Sequence, residues 1–315
     1  MKAAIVFEAG RTPVYGDFAE PVVGDGEVRV HVTAAALSNL AKGRVSGTHY
    51  SASVEVPFVV GVDGVGRLDD GRRVYFILPK PPLGSMSERA VVREEQCIAL
   101  PDELDDVTAA AIANPGMSGW AALAERAKFV SGETVLVNGA TGMAGRVAVQ
   151  IAKYMGAKKI IATGRNVAVL ESLKLIGADV TIPLTEDGDA LEEAFRSQFV
   201  DGIDVVLDYL YGQSAERLLV EGAKAGASLR FVQIGSMSGP DIKLPGSILR
   251  SAPITLMGSG LGSVPNDRLA RCISDLMQAA VPGGFEIATH TIPLSEVEET
   301  WSTAPMTPRT VYLVG

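Results

Sequence analysis

Residues 134–166 read TVLVNGATGMAGRVAVQIAKYMGAKKIIATGRN, and the fold is decided there. TVLVNG is a short β-branched run that leads through Ala140, Gly142 and Gly145 into apolar residues at Val147, Ile151, Tyr154 and Met155, a helical spacing. KIIATG then supplies a second buried strand. The segment is one βαβ unit whose first turn carries Ala-x-Gly-x-x-Gly, the pattern that seats a dinucleotide.

Each small residue has a mechanical reason to be there. Ala140 and Gly142 let the backbone approach a pyrophosphate, and Gly145 lets the helix pack closely on the strand. The turn and helix start, Thr141, Met143 and Ala144 included, present free N–H groups to the anion. The end of the second strand chooses between cofactors. A site for NAD places Asp or Glu about 20 residues past the glycines, to hold the ribose hydroxyls. This chain has Gly164, Arg165 and Asn166 instead. No carboxylate repels a phosphate and a guanidinium is available to fork onto one, so NADPH is the expected cofactor. The competing reading of Arg165 is a solvated side chain at a strand end.

The whole chain has 315 residues, enough for two domains with a core each. Hydrophobic residues make up 47% and charged residues 21%, a globular composition, and the net charge of -9 with no Lys/Arg cluster excludes a nucleic-acid partner. No apolar run is long enough to span a membrane, and MKAAIVFEAG lacks a long h-region and a cleavage site, so a cytoplasmic location is expected. The two cysteines, Cys97 and Cys272, form no metal-type pair and are expected as thiols; His31, His49 and His290 are equally scattered.

In chain order, KAAIVF, EVRVHVTAAAL, FVVGVDGVGRL, RRVYFIL and SERAVVREEQCIALP read as short strands punctuated by Gly, Pro and Asp, a small β-rich domain. Pro101 opens a helical stretch, DELDDVTAAAIAN. The pattern then changes to alternating strand and helix. Strands DVTIPL, DVVLDYL, SLRFVQIG and PITLMGSG follow the opening unit, with helices at Val167–Gly177, Asp189–Phe199 and Gln213–Ala225. Six parallel strands in two βαβ halves make a doubly wound sheet with the ligand crevice at the carboxyl ends, where Gly235 and Ser236 should lie. Asp208 and Tyr209 close the fourth strand near the adenine or ribose. A helix from Asn266 to Ala280, the strand FEIATHTI, a helix SEVEETWS and a strand TVYLVG are too short for a domain of their own and are expected to return to the β-rich part.

This layout, with VPFVVGVDGVGRL, DDGRRVYF and NGATGMAGRVAVQIAKYMGA, resembles the medium-chain dehydrogenase/reductase superfamily, and within it the zinc-free quinone oxidoreductase branch. The resemblance implies an α/β protein with a discontinuous GroES-like β-rich catalytic domain, residues 1–113 and 263–315, around a Rossmann domain, residues 114–262. NPGMSGWAAL resembles the family's helix start beside the cofactor, so Ser118 is either a cofactor contact or a helix N-cap. The zinc-binding members carry an early Cys, a Gly-His-Glu motif and a four-cysteine lobe. Here Gly61-Val62-Asp63 replaces the motif, ALSNLAKG offers Ser38 and Asn39 for the early Cys, and KPPLGSMSERA has no Cys. Tetrahedral zinc needs at least three His, Cys or carboxylate ligands, so no metal is expected.

Without a Lewis acid, reduction is the easier direction: a hydride passes to a carbon conjugated with a carbonyl, and a proton completes the step. Quinones and enones meet that requirement. The expected activity is an NADPH-dependent, zinc-independent reductase of such compounds, with an enoyl thioester reductase or a non-catalytic NADPH-binding protein as alternatives. In SGTHYS, Tyr50 stands near the family's Tyr, one residue late, so His49 also aligns. Tyr50 is either the proton donor or a packed edge at the cleft. Asn39 is a candidate for the substrate oxygen or the nicotinamide amide, and Asp63 reads as a buried structural carboxylate. PITLMGSG is a flat apolar edge strand, and pairing with its copy would give a homodimer.

Overall fold

Glycines and prolines cut the apolar runs of the N-terminal part into strands of a few residues, and these close into two sheets. The computed structural model describes residues 1–47, 55–185 and 188–315. β1 (Lys2–Val6), β2 (Val14–Asp17), β3 (Glu27–Ala36) and helix α1 (Asn39–Ser46) come first. They are followed by β4 (Phe58–Val59), β5 (Asp63–Leu68), β6 (Arg73–Ile77), β7 (Arg89–Arg93), β8 (Cys97–Ala99) and helix α2 (Asp106–Ala121). The run FVVGVDGVGRL is two strands, not one. Gly61 between them has φ +104, and a Cβ there would strike Ser85, so only glycine allows the bend that separates β4 from β5.

The next elements alternate. They are β9 (Thr134–Asn138), α3 (Met143–Tyr154), β10 (Lys159–Gly164), α4 (Val167–Ser172), β11 (Val180–Pro183) and α5 (Gly188–Asp201). After them come β12 (Val205–Asp208), α6 (Gln213–Lys224), β13 (Leu229–Gln233), α7 (Gly246–Ser251), β14 (Ile254–Gly258) and α8 (Asn266–Ala280). The six strands lie in the order β11-β10-β9-β12-β13-β14, every neighbouring pair parallel. That is the doubly wound Rossmann order, with its switch point between β9 and β12. The central strands β9, β10 and β12 are buried on both faces, as the inner strands of a parallel sheet require, while the edge strands β11 and β14 are only partly buried. Leu136, Ile161, Val206 and Phe231 from the strands pack with Phe195 of α5 and Leu218 of α6.

The chain closes with β15 (Thr289–Pro293), α9 (Val297–Thr300) and β16 (Arg309–Leu313). β16 pairs antiparallel with β3 and parallel with β15, which completes a seven-stranded sheet among the described residues. The core beneath it gathers Leu37, Phe58, Met86, Val297, Trp301 and Tyr312.

Two compact units result: Met1–Asn114 with Ala280–Pro282 and Glu286–Gly315, and Pro115–Ala279 with Gly283–Phe285. The expectation that everything past 262 rejoins the β-rich part is corrected for residues 263–279, which belong to the second unit. The reason is packing. α8 buries Leu269, Ile273, Leu276 and Met277, and Leu276 lies so close to Gly116 that a Cβ on Gly116 would sit 2.6 Å from it. The helix opened near Pro101 also runs further than DELDDVTAAAIAN, through Pro115 to Ala121, followed by a single π turn at Ala122–Ala127.

Candidate functional site

The site is assembled in the second unit, at the carboxyl ends of β9, β10, β12 and β13. β9 delivers the chain to Gly139, which has φ +91; a Cβ there would lie 2.9 Å from Leu210, so the turn closes only on glycine. Ala140 is fully buried, and its N–H donates to the Thr163 carbonyl at 2.8 Å. Gly142 is the N-cap of α3 and has no side chain with which to cap the N–H groups of the first turn. Such a helix start is a ready anion site. Gly145 is buried against the same turn: a Cβ would stand 2.5 Å from the Gly139 carbonyl oxygen and 2.6 Å from Ala140 Cα. Gly142 differs, since a Cβ there would meet nothing closer than 3.6 Å. Its lack of a side chain leaves open space above the turn. Thr141, Met143 and Ala144 are half-buried around that space.

β10 ends at Gly164, directly under Thr141; a Cβ on Gly164 would collide with the Thr141 side chain. Arg165 follows, exposed, with neither an ion pair nor a hydrogen bond holding its guanidinium among the described residues. A cation held on a strand end and left unpaired suits a phosphate that arrives with a ligand. Asn166 is occupied otherwise: it caps α4, its Oδ1 accepting from the Val169 N–H at 3.1 Å.

Ser118 is not at a helix start. It lies inside α2, half-buried, and its Oγ donates to the Pro115 carbonyl at 2.7 Å. NPGMSGWAAL resembles a helix start, but α2 continues through the interior Pro115, whose missing N–H is tolerated there. Ser118 still faces the site, 3.5 Å from the Tyr209 hydroxyl. Burial pushes that phenol well above its ordinary range, with Ser118 opposing, so it stays protonated. Gly235, expected to end the fifth strand, lies two residues past the end of β13. A Cβ there would be 2.8 Å from the Tyr209 carbonyl, while Ser236 is exposed beside it.

Tyr209 is thus approached by both Ser118 and Gly235, and the turn that holds it was undervalued in the sequence. Asp208 is fully buried and accepts from Asn138 Nδ2 at 2.8 Å, from the Leu210 N–H at 3.0 Å and from the Tyr211 N–H at 3.2 Å. Burial raises its carboxyl above the usual range, and these donors oppose the rise. A polar residue closing an apolar strand, as in TVLVN and VVLD, was the available signal.

The candidates of the β-rich unit are more scattered. Asn39 is the exposed first residue of α1, and Ser38 caps that helix by accepting from the Ala41 N–H at 3.0 Å. Tyr50 and His49 lie outside the described residues. Val62 is buried, and Asp63 beside it receives the Tyr75 hydroxyl at 2.8 Å. Burial pushes the Asp63 carboxyl up, opposed by Arg309 and Tyr75. Among the described residues no three His, Cys, Asp or Glu side chains are grouped closely enough to hold a metal ion.

Residues 144–279, from the α3 start to the end of the second unit's main stretch, match the family model described as zinc-binding dehydrogenase. A probable NADPH-dependent quinone reductase of Emericella nidulans is 28% identical over 92% of this chain and 92% of its own length. The quinone oxidoreductase of Pongo abelii is 31% identical over 70% of this chain and 66% of its own. The crystal structure of the Thermus thermophilus quinone oxidoreductase, also described in complex with NADPH, superposes with a TM-score of 0.81 at 25% identity. It covers 100% of this chain and 99% of that one. The chain belongs to the medium-chain dehydrogenase/reductase superfamily, in its quinone oxidoreductase-like branch. The residues that match the zinc-binding model lie in the parallel-sheet unit; Ser38 and the Gly61-Val62-Asp63 run lie outside the match.

Proposed function

We propose that this chain is an NADPH-dependent, zinc-independent reductase of quinones or α,β-unsaturated carbonyl compounds. The observation that carries the reading is the pairing of an uncapped glycine start on α3 with Arg165 at the end of β10, exposed and unpaired among the described residues. The α3 amides take the diphosphate, and the guanidinium takes the 2′-phosphate as a fork. Gly164 lets Thr141 pack beneath that fork, and Gly235 lets the β13 loop approach Tyr209. The names of the Emericella nidulans and Thermus thermophilus relatives support the same cofactor and an acceptor of quinone type.

When bound, the nicotinamide supplies a hydride to an electron-poor carbon. The chain's own share is to exclude water, orient the acceptor and complete the reaction with a proton. Tyr50 is the candidate donor, a phenol suited to a developing enolate, and Asn39 the candidate partner for the acceptor's carbonyl oxygen. Zinc independence rests on the donor set: Val62 and Ser38 stand where the metal-binding members carry His and Cys, and Ser38 is already spent on capping α1. Rapid mixing of NADPH with a panel of quinones and enones tests the activity. Oxidation of the cofactor by at least one acceptor, unchanged by a chelator, is expected; tight binding without turnover on any acceptor would favour a non-catalytic binder.

A further inference from the structure

Three buried strands of the parallel sheet end on polar side chains that touch one another. β9 ends on Asn138, β12 ends on Asp208, and Thr163 is the penultimate residue of β10; all three are 0% exposed. Thr163 Oγ1 donates to Asn138 Oδ1 at 2.7 Å. Asn138 Nδ2 donates to Asp208 Oδ1 at 2.8 Å and to Ser214 Oγ, in the first turn of α6, at 2.9 Å. The chain of bonds then reaches backbone at both ends. The Gly139 N–H donates to Thr163 Oγ1 at 3.2 Å, and the Leu210 and Tyr211 N–H groups donate to Asp208.

Buried polar side chains are costly unless satisfied, and a parallel sheet needs none of them for its core. Here they are satisfied, and what they join is specific. One end of the network is the turn at Gly139, φ +91, which launches the Ala-x-Gly-x-x-Gly loop. The other is the turn from Asp208 to Tyr211, φ +46 at Tyr211, against which Gly139 and Gly235 pack. Asn138 stands in the middle, the group that accepts from one strand while donating to another. No ligand can reach it.

We propose that Asn138 is a positioning residue for the dinucleotide site, setting the glycine turn of β9 against the Asp208–Tyr211 turn without itself touching the cofactor. The inference rests on the NADPH reading above. Two variants of the full chain test it. In Asn138→Leu the donors and acceptor are gone, and NADPH affinity falls about 10- to 100-fold, the size of a buried group left unpaired. In Asn138→Asp two carboxyls face each other. When both are ionised they repel, and neither donates; with one shared proton, an O–H···O bond replaces the amide's bond to Asp208.

NADPH dissociation constants are therefore measured for wild type and both variants between about pH 6 and about pH 8.5, a range that like-charged buried carboxyls can reach. Circular dichroism of the ligand-free proteins is followed alongside. The ratio of the Asn138→Asp constant to the wild-type constant should fall as pH falls, by about 10-fold, while the ligand-free spectrum of the variant stays native throughout. The KM for a quinone should change by less than about twofold. A ratio constant with pH overturns the inference, as does Asn138→Leu binding within about twofold of wild type. So does a loss of binding in Asn138→Asp that merely tracks a loss of folded signal. If wild type binds neither NADPH nor NADH, the cofactor reading fails and takes this inference with it; if wild type binds NADPH and the variants match it, only the inference fails.

Discussion

At the scale of single residues, Arg165 and the glycines divide the labour of the site. Arg165 is exposed and has no ion pair or hydrogen bond on its guanidinium among the described residues, so removing it breaks no contact among them. Arg165→Ala should weaken NADPH binding by about 10- to 100-fold, the size of a charge-assisted fork, and leave NADH binding within about twofold; titration with both cofactors reads it. The two thiols carry a second prediction. Burial pushes both Cys97 and Cys272 up to about 11, so each is protonated at neutral pH and gains reactivity only as pH rises toward that value. Native protein treated with iodoacetamide near neutral pH should show neither cysteine alkylated by mass spectrometry, and activity should survive. Rapid labelling of either would contradict the burial that raises it.

Residues were legible in the sequence where chemistry and spacing coincide, as in Ala140, Gly142 and Gly145. They were not legible where partners come from distant strands. Asn138, Thr163 and Asp208 are each ordinary at the end of a strand, and the hydrogen bonds that join them span separations that only the sheet order brings together. Of the two readings of Ser118 the helix N-cap is excluded, because α2 runs on through Pro115, a residue that normally stops a helix.

At the scale of elements, the βαβ pattern showed through because buried parallel strands are continuous β-branched runs and their helices carry one apolar face. All six strands of the parallel sheet were readable, in order. The missed pieces are short and weakly patterned: α1 with Gly43 inside it, α7 of six residues, and β2 with Gly16. The join between β9 and α3 yields a paired prediction. Gly145→Ala forces a Cβ into backbone at 2.5 Å and 2.6 Å, and should cost about 1–3 kcal/mol of stability as well as cofactor affinity. Gly142→Ala makes only an ordinary contact, 3.6 Å from the Gly139 carbonyl oxygen, and its φ of -75° is allowed to alanine, so the ligand-free Tm should move by less than about 2 °C while NADPH affinity drops. Thermal melts with and without cofactor separate the two. Equal loss of ligand-free stability in both variants would contradict the assignment of Gly142 to the ligand and Gly145 to packing.

At the scale of the whole molecule, β14 is the outer strand of the parallel sheet, pairing only with β13 among the described residues. Its outward edge is met near its end, where Arg126 Nε donates to the Gly258 carbonyl at 2.8 Å. An apolar edge strand left open invites another strand, and a second copy of the same strand satisfies it by two-fold symmetry. The proposed assembly is a homodimer through β14. Light scattering should give twice the chain mass of 33.0 kDa, and Thr255→Lys, at an exposed position of β14, should reduce it to one. A wild-type mass of a single chain would refute the assembly without touching the site.

The measurement that bears most directly on the central claim is calorimetric titration of the purified chain with NADPH and, separately, with NADH. One NADPH should bind per chain, at least about 10-fold more tightly than NADH, because only NADPH offers the 2′-phosphate to Arg165. Equal or tighter binding of NADH, or no binding of either, would contradict the account.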